Sequence, residues 1–312
     1  MSMIEVSDLQ KTFGKGDEAV HAVRGVDFQV DEGQIFGLLG ANGAGKSTCV
    51  LMLATLLAPT GGSARVNGFD VLKQPNEVRQ SFGAALQETG LDPLQKGVEL
   101  LELHGRLYGY DKQTAKARAA DLLETVGLSD DGGRRIGTYS GGMRRRLDLA
   151  AALIHHPRIL FLDEPTTGLD PASRRAIWEE VSKLKSEGVT VLLTTQYLEE
   201  ADQLADHVAI MADGVIAATG TPDDLKAGMG ADVVDVELAD EAEAARAAAA
   251  VGLEAKVVGN EIRISATDGP AVLARVMNQL RDLGIEPKGV SLTQPTLDDV
   301  FLNLTDGGSG HE

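Results

Sequence analysis

The stretch "GANGAGKST", Gly40 to Thr48, lies between the apolar runs "IFGLL" and "CVLMLATLLA". Its pattern G-x-x-x-x-G-K-[ST], set between a predicted strand and a predicted helix, is that of a loop that cradles phosphates. The run Gly40, Ala41, Asn42, Gly43, Ala44, Gly45 lets backbone N–H groups wrap an anion, and the helix N-terminus that follows adds positive potential. Lys46 has the reach for β- and γ-phosphates, and Ser47, followed by Thr48, offers a hydroxyl to Mg²⁺. A second stretch, "ILFLDEP" from Ile159 to Pro165, is an apolar strand ending in two carboxylates. Asp163 can join a Mg²⁺ shell, and Glu164 can face an attacking water as a general base, a role worth roughly 10²–10⁴-fold in rate. The same pair also reads as an acidic cap before "PTTGLDP". A third stretch, "YSGGM", places Ser140, Gly141 and Gly142 at the head of a basic helix, either as a second anion-binding helix end or as a plain cap. One nucleotide does not need two such ends, which suggests a dimer with shared sites. A fourth, "VTVLLTTQYLEEAD", runs a buried strand out to Gln196. Ligands of open α/β sheets sit outside the carboxyl ends of strands, yet an amide neither takes a proton as a base nor carries charge.

These residues need a sheet whose strand ends converge, and the pattern supplies one. Short strands are predicted at "MIEVSDLQKTF" and "VRGVDFQV", then "IFGLLG", a helix over "STCVLMLATLLAP" stopping near Pro59, and a strand and turn at "GSARVNGFDV". Val98 to Val126 reads as helical, and "MRRRLDLAAALIHH" as a helix ending at Pro157. The strand "RILFLDEP", the helix "PASRRAIWEEVSKLKSEG", the strand "VTVLLTT" and a hairpin over "HVAIMADGVIAATG" follow. After about Gly228 the order becomes β-α-β-β-α-β with a last helix at "TLDDVFLNL", the order of a ferredoxin-like split βαβ unit. His155 and His156 read as helix-end or surface residues, "RRR" at 144–146 as a solvated helix face with charge near phosphate, and Trp178 and Cys49 as packing residues.

Composition narrows the function classes. The chain has 312 residues, 43% hydrophobic, with a net charge of −18, which argues against a general nucleic-acid binder. From Met229 onward six basic and fifteen acidic residues hold half of that charge, a sign of a separate domain. The single cysteine, Cys49, fits a reducing compartment. The start "MSMIEVSDLQ" lacks the blocks of a signal peptide, and the apolar runs fall short of the ~20 residues that span a bilayer. A membrane role is therefore expected to work through a partner.

The order and spacing of "GANGAGKST", Gln87 in "AALQETGLDP", "YSGGM", "ILFLDEP", "TGLD" and the "TTQ" strand end resemble an ABC transporter nucleotide-binding subunit over roughly residues 3 to 226. The strings "TTQYLEEAD" and "TLDDVF" resemble the daunorubicin-resistance-type exporter ATPases. The resemblance implies an α/β fold: a P-loop NTPase (ABC ATPase) domain over 1–228 with β-rich and helical subdomains, the latter at about 88–157. A small α+β, ferredoxin-like (βαββαβ) accessory domain at 229–306 and a disordered tail at 307–312 complete the expectation. It implies ATP and Mg²⁺ as ligands, with Ser47, Asp163 and Gln87 on the metal, Gln87 also sensing the membrane partner. Phe13 matches the aromatic that stacks on adenine, although by pattern alone it reads equally as core. Ser140, Gly141, Gly142 and Asp170 match residues that cross the interface of a head-to-tail homodimer. Gln196 stands where most of the family carries a histidine at the γ-phosphate; it can donate a hydrogen bond there or serve as a strand-end cap. The expected partners are a second copy and a separately encoded permease at the cytoplasmic face of the membrane, with no nucleic acid. A soluble ABC ATPase acting in translation or DNA transactions is the alternative; a P-loop kinase would need neither "YSGGM" nor "TGLD".

Overall fold

The computed structural model describes residues 2–86, 90–228, 232–251, 255–293 and 296–306. The chain divides into two compact units, residues 1–222 and 223–312. The first begins with β1 (Ser2–Phe13), β2 (Val20–Asp31) and β3 (Ile35–Leu39), which leads through the glycine loop into α1 (Lys46–Leu53). β4 (Gly61–Val66), β5 (Phe69–Asp70), α2 (Pro75–Ser81) and β6 (Phe82–Ala85) follow. The helices α3 (Gly97–Leu107), α4 (Lys112–Thr125) and α5 (Gly141–Ala152) form a helical layer. Then come β7 (Ile159–Asp163), α6 (Pro171–Ser186), β8 (Thr190–Thr195), α7 (Leu198–Leu204), the hairpin β9 (His207–Ala212) and β10 (Val215–Gly220), and α8 (Pro222–Ala227) at the unit boundary.

One sheet of this unit is antiparallel, in the order β2-β1-β4-β5. The other runs β10-β9-β3-β8-β7-β6, parallel from β9 to β6, with β10 returning antiparallel. A parallel strand covered on both faces must be apolar on both, and all five residues of β7 are buried. Ile159 and Phe161 point into the cluster holding Val6, Met52 and Leu38, while Leu160 and Leu162 point into the cluster under the helical layer with Leu147 and Leu149. The register places Leu39 beside Thr195 and Asp163 beside Thr194. Gly40, Glu164 and Gln196 therefore each follow a strand end on one edge of the sheet.

The second unit comprises β11 (Asp232–Glu237), α9 (Glu241–Val251), β12 (Ala255–Val258), β13 (Glu261–Ala266), α10 (Gly269–Asp282), β14 (Gly289–Thr293) and α11 (Leu297–Asp306). Its sheet order β12-β13-β11-β14 with antiparallel pairing is the ferredoxin-like arrangement expected from the sequence. Val234, Val236, Ile262 and Ile264 bury one sheet face against Ala244, Ala247, Val276 and Leu280 of the helices.

Four local features differ from expectation. α1 ends at Leu53 rather than near Pro59. Thr55 takes a left-handed φ of 60°, and Arg79 of α2 holds it, with Nε donating to Oγ1 at 2.8 Å. α5 stops at Ala152, well before Pro157, where Arg118 of α4 donates to the Leu153 carbonyl at 2.8 Å. α2 and β6 have no counterpart in the sequence reading, because "FGAA" lacks the β-branched residues that mark a strand. His155 is neither a helix-end charge nor a free surface residue. Its ring stacks on Tyr108 at 4.0 Å and its Nε2 contacts the Phe82 carbonyl at 3.1 Å.

Candidate functional site

The glycine loop is built by close approach. A Cβ on Gly40 would lie 2.3 Å from the Met211 carbonyl oxygen, and Gly45, with φ 104°, is the residue that starts α1. Neither position accepts a side chain, so the backbone of the loop can pack this closely against its neighbours. The cleft it lines, with a volume of about 280 Å³, is bordered by Ala22, Asn42, Gly43, Gly45, Lys46, Ser47, Thr48 and Glu164. The Lys46 ammonium is buried, donates to the carbonyls of Gly40 and Ala41 at 2.7 and 3.0 Å, and lies 3.8 Å from Glu164 Oε1. Burial pushes its pKa down, and the carboxylates of Glu164 and Asp163 push back.

The two carboxylates at the end of β7 differ in surroundings. Asp163 is buried, and its Oδ1 accepts from Ser47 Oγ at 3.0 Å and from Thr194 Oγ1. Glu164 has a left-handed φ of 47°, rare for a residue with a side chain. Its N–H donates to the carbonyl and the hydroxyl oxygens of Thr194, both at 3.1 Å, and its Oε2 accepts from Thr167 Oγ1 at 3.0 Å. Ser47 and Asp163 thus meet directly, Asp163 buried behind the cleft that Ser47 and Glu164 line. Their hydroxyl and carboxylate oxygens suit Mg²⁺, which prefers a few protein oxygens shared with phosphate over an all-protein cage. Among the described residues no group of three or more His, Cys, Asp or Glu forms such a cage.

The remaining candidates stand apart from this cleft. Ser140 is exposed at the N-cap of α5, its Oγ accepting from Met143 N–H at 3.2 Å. A Cβ on Gly142 would meet Ser173 Oγ at 2.6 Å, and that hydroxyl donates to Asp170 Oδ2 at 2.6 Å. Gly141 is likewise exposed, so Ser140, Gly141, Gly142 and Asp170 form one neighbourhood that does not border the glycine-loop cleft. Gln196 is half-buried beyond β8, and its amide has no hydrogen-bond partner among the described residues. Phe13 is 42% exposed at the end of β1 with Lys11 Nζ 5.1 Å from its ring centroid, so it is not a core residue. Gln87 lies outside the described residues.

Residues 23–167 match the ABC transporter family, and residues 220–305 match the C-terminal domain of DrrA1-3-like ATP-binding proteins. The chain is 46% identical to the daunorubicin resistance ATP-binding protein DrrA3 of Streptomyces coeruleorubidus, covering 97% of this chain and 95% of that protein. The chain belongs to the ABC ATPases, in their daunorubicin-resistance branch. It is also 36% identical to the Nod factor export ATP-binding protein I of Rhizobium etli, covering 98% of this chain and 94% of that one. Among solved structures, an ATP-binding subunit of an ABC transporter matches with a TM-score of 0.63 at 29% identity, over 72% of this chain and 92% of that one. The dimeric bacterial ABC transporter cassette MJ0796 matches with a TM-score of 0.65 at 26% identity, over 70% of this chain and 98% of that one.

Sequence reasoning about this ABC ATPase missed three polar groups. Thr194 supports both Asp163 and Glu164 from the neighbouring strand, and only the parallel register reveals that. Glu200, in the string "YLEEAD", is fully buried, and its Oε1 accepts from Thr166 Oγ1 at 2.8 Å and Trp178 Nε1 at 3.0 Å. Burial raises its pKa against those donors. The third is Arg145. The reading of "RRR" as a solvated face fails for it, because its guanidinium is buried beneath the end of β7.

Proposed function

We propose that this ABC ATPase is the ATP-hydrolysing subunit of an exporter, and that it powers a separately encoded membrane permease through closure of a head-to-tail dimer. The observation that carries the reading is the meeting of Lys46, Ser47 and Glu164 at one cleft, with Asp163 buried behind it and bonded to Ser47. In this reading the loop N–H groups and Lys46 bind the β- and γ-phosphates, the ammonium turning from the Gly40 and Ala41 carbonyls to phosphate oxygens. Ser47 and Asp163, with Gln87 by resemblance, would hold Mg²⁺, which neutralises phosphate charge when bound. Glu164 orients a water in line with the γ-phosphorus and takes its proton as the new P–O bond forms. The bond from γ-phosphorus to the bridging oxygen breaks, leaving ADP and phosphate. Gln196 donates its unpartnered amide N–H to a γ-phosphate oxygen, and Phe13 stacks on adenine.

The separation of the two anion-binding helix ends supports the dimer. The cluster of Ser140, Gly141, Gly142 and Asp170 borders no part of its own glycine-loop cleft, and in this reading it serves the nucleotide of a second copy. The permease is supported by the export function named for the Rhizobium etli relative. No helix of the described residues is long and apolar enough to cross a membrane. A groove of about 310 Å³ lined by Leu56, Phe82 and Tyr108 together with Arg79, His104 and Asp148, with Leu56 and Tyr108 exposed, would offer a seat for a permease segment in this reading. Mixed dimers test the sharing. With Ser140→Ala on one subunit and Lys46→Ala on the other, one composite site loses both groups and the other stays intact. Mixed dimers should turn over ATP faster than either mutant homodimer; equal rates in all three mean that shared sites do not function independently and leave the sharing without support.

A further inference from the structure

We propose that Arg145 is a positioning residue for ATP cleavage: it clamps the two carbonyls that flank Glu164 and ties that turn to α5 and to the exit of β6. The proposal rests on the reading of Glu164 as the base. Arg145 Nη2 donates to the Asp163 carbonyl at 2.7 Å and Nε donates to the Pro165 carbonyl at 3.0 Å. Nη1 donates to the Leu86 carbonyl at 2.8 Å and to Asp148 Oδ2 at 3.1 Å, and Nη2 also reaches the Ala85 carbonyl at 3.4 Å. A guanidinium has five N–H groups in a rigid fork, and here all are engaged.

The turn it holds needs holding. Glu164 sits in the left-handed region with φ 47°, a conformation that a residue with a side chain keeps only where its surroundings over-determine it. β8 fixes the turn from one side, through Thr194 on the Glu164 N–H. Arg145 fixes it from the other side through the carbonyl before Glu164 and the carbonyl after it. The buried cation is offset by Asp148 one turn along the same helix and by the four carbonyl dipoles. Leu86 is the residue before Gln87, and Ser140 heads the helix that carries Arg145. A shift of α5 or of the β6 exit therefore moves the peptide that carries Glu164. Arg145 does not touch Lys46 or Ser47, so its loss should reach the chemical step and leave nucleotide capture intact.

The test uses the full chain with Mg²⁺ and ATP, comparing Arg145→Ala, Arg145→Met and Arg145→Lys with wild type and with Glu164→Gln. A misplaced catalytic group costs about 10²-fold, so kcat of Arg145→Ala should fall by about that factor with KM within about threefold of wild type. Arg145→Lys, with a point charge in place of a fork, should lie between. Added guanidinium should restore turnover several-fold in Arg145→Ala, where the space is empty, and not in Arg145→Met, where it is filled. A folded Arg145→Ala with kcat within about twofold of wild type overturns the proposal, as does a loss expressed wholly in KM or equal stimulation of the alanine and methionine variants. If the alanine variant does not fold, wild-type kcat in Arg145→Lys overturns it instead. Wild-type turnover in Glu164→Gln removes the base and the proposal with it; an inactive Glu164→Gln beside an active Arg145→Ala leaves the base standing and sinks the clamp alone.

Discussion

Removing the amide of Gln196 isolates one contact. The side chain is half-buried and has no hydrogen-bond partner among the described residues, so truncation breaks nothing in the free chain and stability should hold. What is lost is the bond proposed to the γ-phosphate. A hydrogen bond to a charged group is worth about 1.5–3 kcal/mol, and ~1.4 kcal/mol is a factor of ten in rate. Gln196→Ala should therefore slow turnover by roughly ten- to a hundredfold while the unfolding midpoint stays within about a degree or two. Gln196→His should retain turnover, because a neutral imidazole donates one hydrogen bond from the same strand end. It should also add a pH dependence near the ~6.5 of a free imidazole, with the charged form present below it. ATP turnover against pH for the three proteins, beside their thermal unfolding, decides the matter. Wild-type turnover in the alanine variant refutes the phosphate contact and leaves Gln196 as a strand-end residue.

Glu164→Gln should keep ATP affinity and lose most hydrolysis, since the amide keeps the shape without the base; binding measured with slow turnover checks it. Lys46→Ala should weaken ATP binding through loss of a phosphate charge contact, read by nucleotide titration. Gly40→Ala should impair folding or nucleotide binding, because its Cβ would lie 2.3 Å from the Met211 carbonyl; a wild-type melting curve together with wild-type affinity would contradict this. Burial pushes the Asp148 carboxyl from 3.8 up to about 6. The folded chain thus keeps a proton that the unfolded chain releases, so the contribution of this group is full below 3.8 and is lost as pH rises through about 6. Asp148→Asn should flatten the fall in unfolding midpoint over that window, and an unchanged slope would exclude Asp148 as its source.

What could be read from the sequence was whatever has a local cause. The glycine loop, the strand "ILFLD" and the βαββαβ order depend on periodicity and on residues adjacent in the chain. What escaped depends on contacts distant in sequence. α1 ends at Leu53 because Arg79 holds a left-handed Thr55, and no glycine announces the stop. Thr194 is one of several threonines in "TVLLTT" until the register sets it beside Asp163. Arg145 looks like its neighbours in "RRR", and only the packing of α5 under β7 buries it. Gln87 lies outside the described residues, and its expected roles remain a proposal.

The glutamine at position 196 constrains how the proton leaves the attacking water. A histidine there could take a proton or hold one near neutral pH; an amide can do neither. Of the groups bordering the glycine-loop cleft, Lys46 is a cation in use against phosphate, and the hydroxyls of Ser47 and Thr48 have no acid–base range near neutrality. Among the described groups bordering the cleft, the proposed mechanism therefore gives the proton to Glu164 or to an oxygen of the phosphate itself. Among the described residues, Glu164 is the one that borders both this cleft and the neighbouring one lined by Gly141, Arg144 and Thr167. Its Oε2 already accepts a hydrogen bond from Thr167, while Oε1 lies towards Lys46. In the proposed cycle Lys46 turns to the nucleotide, which frees Oε1 to meet a water while Thr167 keeps hold of Oε2.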